Sequence, residues 1–277
     1  MAVPERFVGC WVRDGVSVGD EDLAEPADVV WLQGREWFAD LRVPRPEGPA
    51  GPAGPATTAM GARPEAFAGR CQWVAADGVD PDAGGQLRWL HDLDWSGGFA
   101  DGDGAEARWV SARCFEEHGT VDEADPPTPF REVWRAEPDE GVVLAAVGVD
   151  DGGRPQMVSV SVHGRRLVMV DQRASGGMFA WSHARRDESD GWHVVHREVA
   201  LLDDEGLSGR SVPGSTEALA GAEATADWLG AHPNPEVGTS FAGSGVTWVI
   251  VEAGGEVHHG VALSKPYRNT PSLRSAP

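Results

Sequence analysis

Most of the chain falls into short segments of alternating apolar and polar residues, each bounded by Gly, Pro or Asp, and most of its 12 tryptophans sit in these segments. Period-two alternation with aromatic enrichment specifies strands, and strands joined by tight turns specify antiparallel neighbours. The fold class read from this pattern is all-β: an antiparallel meander closed into a barrel, one large or two smaller, with one helix near the C-terminus. With 277 residues there is enough chain to bury a sizeable core in either form.

The clearest hairpin is Asp28 to Val43. Gly34-Arg35 offers a two-residue turn with glycine first, which places Trp31 opposite Phe38 and Leu32 opposite Trp37. One face is then Val30, Leu32, Trp37, Ala39 and Leu41, a plain core face. The other carries Trp31, Gln33, Phe38, Asp40 and Arg42, the mixture expected of a wall that lines a ligand. Residues 44–64 form a Pro/Gly/Ala tract whose prolines forbid ladder pairing, so a long loop is expected there. Strands resume at Glu65 to Ala75, Gln86 to Trp95, Ala107 to Glu116 and Pro129 to Ala136.

The second half continues with strands at Val142 to Val149, Gln156 to Val162 and Arg166 to Asp171. The turn Gly164-Arg165 puts Val158, Val160, Val162, Leu167 and Met169 on one apolar face, with Ser159 and Ser161 on the other. Hairpins follow at Met178 to Leu202 and, over Gly254-Gly255, at Gly245 to Leu263. Between them, residues 216–230 have a helical stripe of Leu219, Ala222, Ala226 and Leu229, with Ser215 as cap and Pro233 as stop. The expected organisation is a barrel half at 1–138 holding a ligand cavity, a second antiparallel half at 139–266, and a loose tail at 267–277.

Acidic residues number 44 against 23 basic ones, a net charge of -21. A field of that sign repels phosphate backbones and anionic headgroups, so nucleic acid and membrane surfaces are poor partners. Cys10, Cys71 and Cys114 are odd in number and widely spaced. They form neither a disulfide framework nor a zinc knuckle, and a cytoplasmic location is expected.

Several motifs occur in a recognisable order: Phe7-x-Gly9-x-Trp11-x-Arg13; Trp31-Leu32-Gln33 with Ala39-Asp40-Leu41-Arg42-Val43-Pro44; Phe67-Ala68-Gly69; Trp89-x-His91-x-Leu93-Asp94-Trp95; Glu117-x-Gly119; and Phe130-x-Glu132-x-Trp134. In these the first half, to about Ala136, resembles a family of lipocalin-like, calycin-type barrel proteins found in bacteria and, as the Hri-type two-barrel proteins, in fungi. The resemblance implies a barrel with a hydrophobic interior and supplies no catalytic residue.

Alternation places Trp89, His91, Leu93 and Trp95 on one strand face and Leu90, Asp92 and Asp94 on the other. A histidine between tryptophans on an enclosed wall is suited to general acid or base work, although a buried structural histidine has the same signature. Glu132 shares a face with Phe130 and Trp134. Among rings its carboxyl is either desolvated and neutral, a usable acid, or ion-paired with Arg42, Arg88 or Arg113. Asp40 and Arg42 share a face and can pair with each other. The candidate catalytic groups are therefore His91, Glu132 and Asp40, with Trp31, Phe38, Arg42, Trp89, Trp95 and Trp134 as ligand contacts.

In the second half, Trp181 neighbours His183. His193 and His196 are three apart on a strand and are expected to point oppositely, which argues against chelation by that pair. His258-His259 fails likewise. No metal is expected, since no set of three ligands has plausible spacing and no H-E-x-x-H, paired C-x-x-C or EF-hand loop occurs; no cofactor is expected, since phosphate-loop and dinucleotide fingerprints are missing; and Gly238 to Ala242 reads as a turn rather than a nucleophile elbow. Two function classes follow. One is a cofactor-independent barrel enzyme that binds an apolar small molecule and promotes its cyclisation or isomerisation by acid/base chemistry. The other is a non-catalytic binding or carrier barrel.

Overall fold

The computed structural model describes residues 2–45, 54, 57, 64–75, 84–94, 103–121, 126–138, 143–172, 178–187, 191–203, 206–208, 225, 227–228, 231–232, 235–243, 246–254 and 256–257. Eight strands form the first unit: β1 (Gly9–Val18), β2 (Ala27–Gln33), β3 (Trp37–Pro44), β4 (Glu65–Ala75), β5 (Gly84–Asp94), β6 (Asp103–Ser111), β7 (Cys114–Val121) and β8 (Thr128–Ala136). Each pairs antiparallel with the next, and β8 returns to β1, so the meander closes into a barrel. Closure leaves no free edge. The segment read as one strand at Ala107 to Glu116 is in fact a hairpin, turning at Ala112 and Arg113 between β6 and β7. That turn lacks glycine, proline and asparagine, so it gave no punctuation in the sequence.

Nine strands form the second unit: β9 (Val143–Val149), β10 (Pro155–His163), β11 (Arg166–Asp171), β12 (Met178–Asp187), β13 (Gly191–Asp203), β14 (Gly206–Ser208), β15 (Ser240–Gly243), β16 (Val246–Ala253) and β17 (Glu256–Val257). They make a second antiparallel sheet in the order β14-β13-β12-β11-β10-β9-β16-β15, with β17 on β16. One small barrel and a sheet are thus seen among the described residues, not one large barrel or two small ones. The expected helix over 216–230 lies outside the described residues apart from Thr225, Asp227 and Trp228, which are helical. The tail 267–277 lies outside them entirely, and so does the 44–64 tract except at its two ends and at Gly54 and Thr57. The Thr57 hydroxyl accepts the Val18 N–H at 3.2 Å.

Side-chain parity gives each strand of the β2–β3 hairpin two jobs. Val30, Leu32, Trp37, Ala39 and Leu41 face out of the barrel and merge with Val147, Val168, Val170, Trp181 and Val251 of the second sheet into one apolar cluster. Trp31 and Phe38 face in, among Phe7, Trp11, Trp73, Trp89, Phe115 and Trp134. The hairpin register differs from the expected one by two residues: Gln33, not Trp31, is opposite Phe38, and with the Gly34 N–H bonded to the Trp37 carbonyl the two-residue turn falls at Arg35-Glu36 rather than Gly34-Arg35. A slip of two preserves both faces, whereas a slip of one would have exchanged them. This turn is held by Glu252 of β16, whose buried carboxylate accepts the backbone N–H groups of Arg35, Glu36 (3.1 Å) and Trp37 (3.1 Å). Gly34 leaves room for this carboxylate, since a Cβ there would overlap Glu252 and oblige its side chain to shift.

On β10 and β11, Val158, Val160, Val162, Leu167 and Met169 form a single apolar face, as the turn at Gly164-Arg165 demands. A bulge at Val195 alters the reading of β13: Ala184 pairs with Val194 and His183 with His196. The extra residue brings His193 and His196 onto the same face, where alternation alone placed them on opposite ones. His183 and His196 stack with ring centroids 6.2 Å apart, and Arg166 Nη1 lies 3.3 Å from His183 Nε2. Burial, with Arg166 and His196 adding to it, pushes the His183 imidazole down to about 3.

A neutral His183 in the fold and a protonatable one in the unfolded chain link stability to pH. The unfolded chain binds the extra proton below about 6.5, so this contribution is whole above that pH and is lost as pH falls towards 3. Between pH 6.5 and 5, native protein is expected to lose about 2 kcal/mol more stability than His183→Gln, at 1.36 kcal/mol per unit. Urea titrations at the two pH values check this, and equal losses would refute it.

Candidate functional site

The barrel interior is divided lengthwise. The 3₁₀ turn Glu5–Phe7 inserts Phe7 into one end, where its ring centroid lies 5.1 Å from Trp73, 4.7 Å from Trp109 and 5.3 Å from Phe115. Trp11 Nε1 donates to the Phe7 carbonyl at 2.8 Å and fixes this plug. Offset and edge-on ring pairs of this kind add about 0.5–1.5 kcal/mol each beyond their burial. The opposite half, bounded by the end of β3, the start of β4, the end of β7 and the start of β8, holds a cavity of about 210 Å³. At ~30 Å³ per water that is room for about seven waters, or a molecule of one ring.

Rings from Trp31, Phe38, Phe67, Trp89, Phe130 and Trp134 line the cavity beside the polar side chains of Asp40, Arg42, Glu65, His91, Glu117 and Glu132. The structure thus brings Trp31, Phe38, Asp40, Arg42, Trp89, His91, Glu132 and Trp134 around one cavity. Trp95 lies outside the described residues. Glu65, Phe67, Glu117 and Phe130 were not singled out as site residues from sequence, although β7 alternation places Glu117 on the same face as Phe115.

Glu132 is ion-paired. Arg13, wholly buried, binds Glu132 Oε1 through Nη1 and grips Glu25 with two bonds of 2.8 and 3.0 Å. Arg42 Nη1 is 3.5 Å from the same Glu132 oxygen. Burial alone would raise the Glu132 carboxyl, but Arg13 and Arg42 outweigh it, with a weaker pull from the Trp134 N–H, and hold the group below its usual range. That N–H is itself directed to Glu117 Oε2 at 3.0 Å. Glu132 is therefore a carboxylate at neutral pH, not the neutral acid that desolvation alone would make. Of the partners considered from sequence, Arg88 and Arg113 are exposed and only Arg42 reaches it. Arg13 had one signal, its parity with the buried Trp11.

Arg42 stands at the centre of a carboxylate group: Asp40 at 2.9 Å, Glu132 at 3.5 Å and Glu65 at 3.9 Å. Burial pushes the Glu65 carboxyl up; Arg42 opposes the rise and Asp40 adds to it. One oxygen of Asp40 and one of Glu132, Oδ1 and Oε2, are buried and accept no hydrogen bond among the described residues.

The β5 alternation is broken at Asp92. Ala68 pairs with Leu93 and Gly69 with His91, so Asp92 is an extra residue and the strand changes face at that point. Leu93 consequently joins the apolar cluster outside the barrel, contrary to the expectation that it shares a face with His91. Asp94, expected to face away, comes to the side of His91, with Oδ2 3.2 Å from Nδ1. Gly69 makes the bulge feasible, since a Cβ there would overlap the Leu90 carbonyl and lie 2.7 Å from the Asp92 nitrogen. The His91 ring rests 4.8 Å from Phe67 and 5.7 Å from Phe38.

Comparison with protein-family models and with curated proteins gives no match. Among solved structures, the chain is similar to the uncharacterized protein YLR301w of Saccharomyces cerevisiae, with a TM-score of 0.55 and 15% identity over 88% of this chain and 98% of that one. At that identity the likeness bears on the fold alone: it supports the barrel and not the lipocalin-like or Hri-type assignment.

Proposed function

We propose that the barrel is a small-molecule-binding module whose ligand lies in the half not filled by the Phe7 plug. The observation that carries this reading is the cavity of about 210 Å³, walled by six aromatic side chains with a few convergent polar groups, the usual make-up of a ligand site. A structural core face in the same chain, Val158, Val160 and Val162, carries no such groups. The up-and-down order β1 to β8 and the motif series from Phe7 to Trp134 also favour placing it with the lipocalin-like, calycin-type barrels. The charge of -21 makes nucleic acid or a membrane surface a poor partner, and three free cysteines fit a cytoplasmic location.

A second reading, an enzyme for cyclisation or isomerisation, is favoured by the His91–Asp94 pair on the cavity wall. A carboxylate at Nδ1 fixes the tautomer and orientation of the ring, and a cavity that folds its guest supplies proximity. Titration of tryptophan fluorescence with one-ring aromatic compounds tests the first reading. Binding is expected, and Trp89→Ala is expected to weaken it tenfold or more. No binding by any of them would overturn the reading. For a ligand that is converted, His91→Ala is expected to lower turnover about a hundredfold while the dissociation constant stays put. Turnover unchanged in that variant would rule out the catalytic role.

A further inference from the structure

We infer that the end of the second sheet around Arg185, His193 and His196 binds a phosphate-type dianion, either free phosphate or the phosphate group of a monoester. This site is separate from the barrel cavity and does not depend on the small-molecule reading of it. The strand register puts Arg166 of β11 opposite Arg185 of β12, and Arg185 opposite His193 of β13. In the next row on the same face, His183 is opposite His196. Arg165, in the β10–β11 turn, is tied to the end of β12 by the Arg186 N–H, which donates to its carbonyl at 2.8 Å. Four arginines and three histidines thus gather at one end of three adjoining strands, in a chain whose net charge is -21.

Like charges directly opposite one another destabilise a sheet, so this row is costly unless an anion answers it. Ion pairing within the chain answers only part. Among the described side chains, Glu137 accepts two bonds from Arg166, of 2.6 and 2.7 Å, and Asp187 lies 3.7 Å from His193 Nδ1. Arg185 and His196 have no hydrogen-bond or ion-pair partner among the described residues. Both can be reached from solvent, since Arg185 and His193 are exposed and His196 is partly so.

Two further features point to an anion. The bulge at Val195 brings both imidazoles to the side of Arg185, where unbroken alternation would have sent one of them away, and bulges re-aim side chains in this manner beside functional sites. His183, stacked on His196, reports the local potential: besides burial, Arg166, His196, Arg185 and His193 each push its imidazole down. A guanidinium and two imidazole N–H groups offer donors from two strands to one tetrahedral group, and arginine–phosphate bonds are of the strong, bidentate kind. A carboxylate is already in place on Arg166, and it leaves Arg185 unanswered. The field of the whole chain opposes polyanions, but salt confines such fields to about 8 Å, so at contact distance the local cations decide for a compact ion.

The test uses the full chain, with inorganic phosphate, phenyl phosphate and acetate as probes. Imidazole NMR signals are followed at constant ionic strength and about pH 7.5, where the phosphates carry mostly two charges. The His193 and His196 signals are expected to shift together and saturably with either phosphate, and acetate to bind at least tenfold more weakly. Arg185→Gln is expected to cost tenfold or more in phosphate affinity and His196→Gln about threefold, with the other histidine signals reporting that each variant is folded. Arg108→Gln, on the outside of the barrel, is expected to change nothing. Tighter binding of phenyl phosphate would assign the site to an ester, and tighter binding of inorganic phosphate to the free ion. Acetate binding as tightly as phosphate would overturn the dianion. Shifts that do not saturate, or an affinity that Arg185→Gln and His196→Gln leave unchanged, would mean general screening and overturn the site.

Discussion

Arg13→Met is expected to cost about 3–5 kcal/mol of stability, the range for removing one partner of a buried ion pair. The guanidinium is held by Glu25 on one side and Glu132 on the other, and all three side chains are almost wholly withdrawn from water. Methionine fills a similar volume, so the loss measures charge rather than packing. Glu132 would keep Arg42 at 3.5 Å as its cationic partner, and Glu25 would lose both bonds to Arg13 and keep the Ala27 N–H at 2.9 Å. Urea unfolding at pH 7 is the measurement. Adding Glu132→Gln to Arg13→Met should return part of the loss, because one fewer buried charge is left unpaired. A single-variant effect below about 1 kcal/mol would show that water reaches the pair and that the barrel interior is less dry than its packing implies.

Glu252→Ala is the second change with a large expected effect. It removes the acceptor from three consecutive amides at the tip of β2–β3, of which Trp37 is deeply buried and the other two partly so. Each buried N–H without an acceptor costs about 1–3 kcal/mol. Water can serve the outer two, so the expected loss is about 3 kcal/mol. Amide hydrogen exchange at residues 35–37 should accelerate with it. Glu252→Gln should recover part of the stability, since its amide oxygen still accepts. Slow exchange retained in the alanine variant would mean that the turn holds its own shape and that Glu252 merely follows it.

Strand positions and faces were legible because they are properties of local alternation. The inward set Trp31, Phe38, Asp40 and Arg42 follows from parity alone, and parity survives a register error of two. What could not be read is what depends on distant chain. The turn at 34–37 is held by Glu252, more than two hundred residues away. The partner of Glu132 comes from β1, which becomes its neighbour only when the barrel closes. The bulges at Asp92 and Val195 are single insertions with no composition of their own. Each reverses alternation downstream, which is why Leu93 was placed inside, Asp94 outside, and the two β13 histidines on opposite faces. Gly69 was the one local sign of the first bulge, since a glycine inside a strand marks close approach of another backbone.

The wall between the barrel and the second sheet has a consequence for what counts as a folding unit. Closing β8 onto β1 pairs every strand edge of the first half, and among the described residues its ladder is self-sufficient apart from the hairpin tip that Glu252 holds. By hydrophobic area that half is not, because Val30, Leu32, Trp37 and Leu41 lie on the outside and have only the second sheet to cover them. The two halves are joined as a lid is to a jar whose outer side is sticky: the barrel is closed in its own ladder, yet its outer apolar face is covered by the second sheet. Trp31 and Leu32, adjacent in sequence, look into the cavity and into this seam respectively, so anything that shifts the hairpin is felt in both places at once.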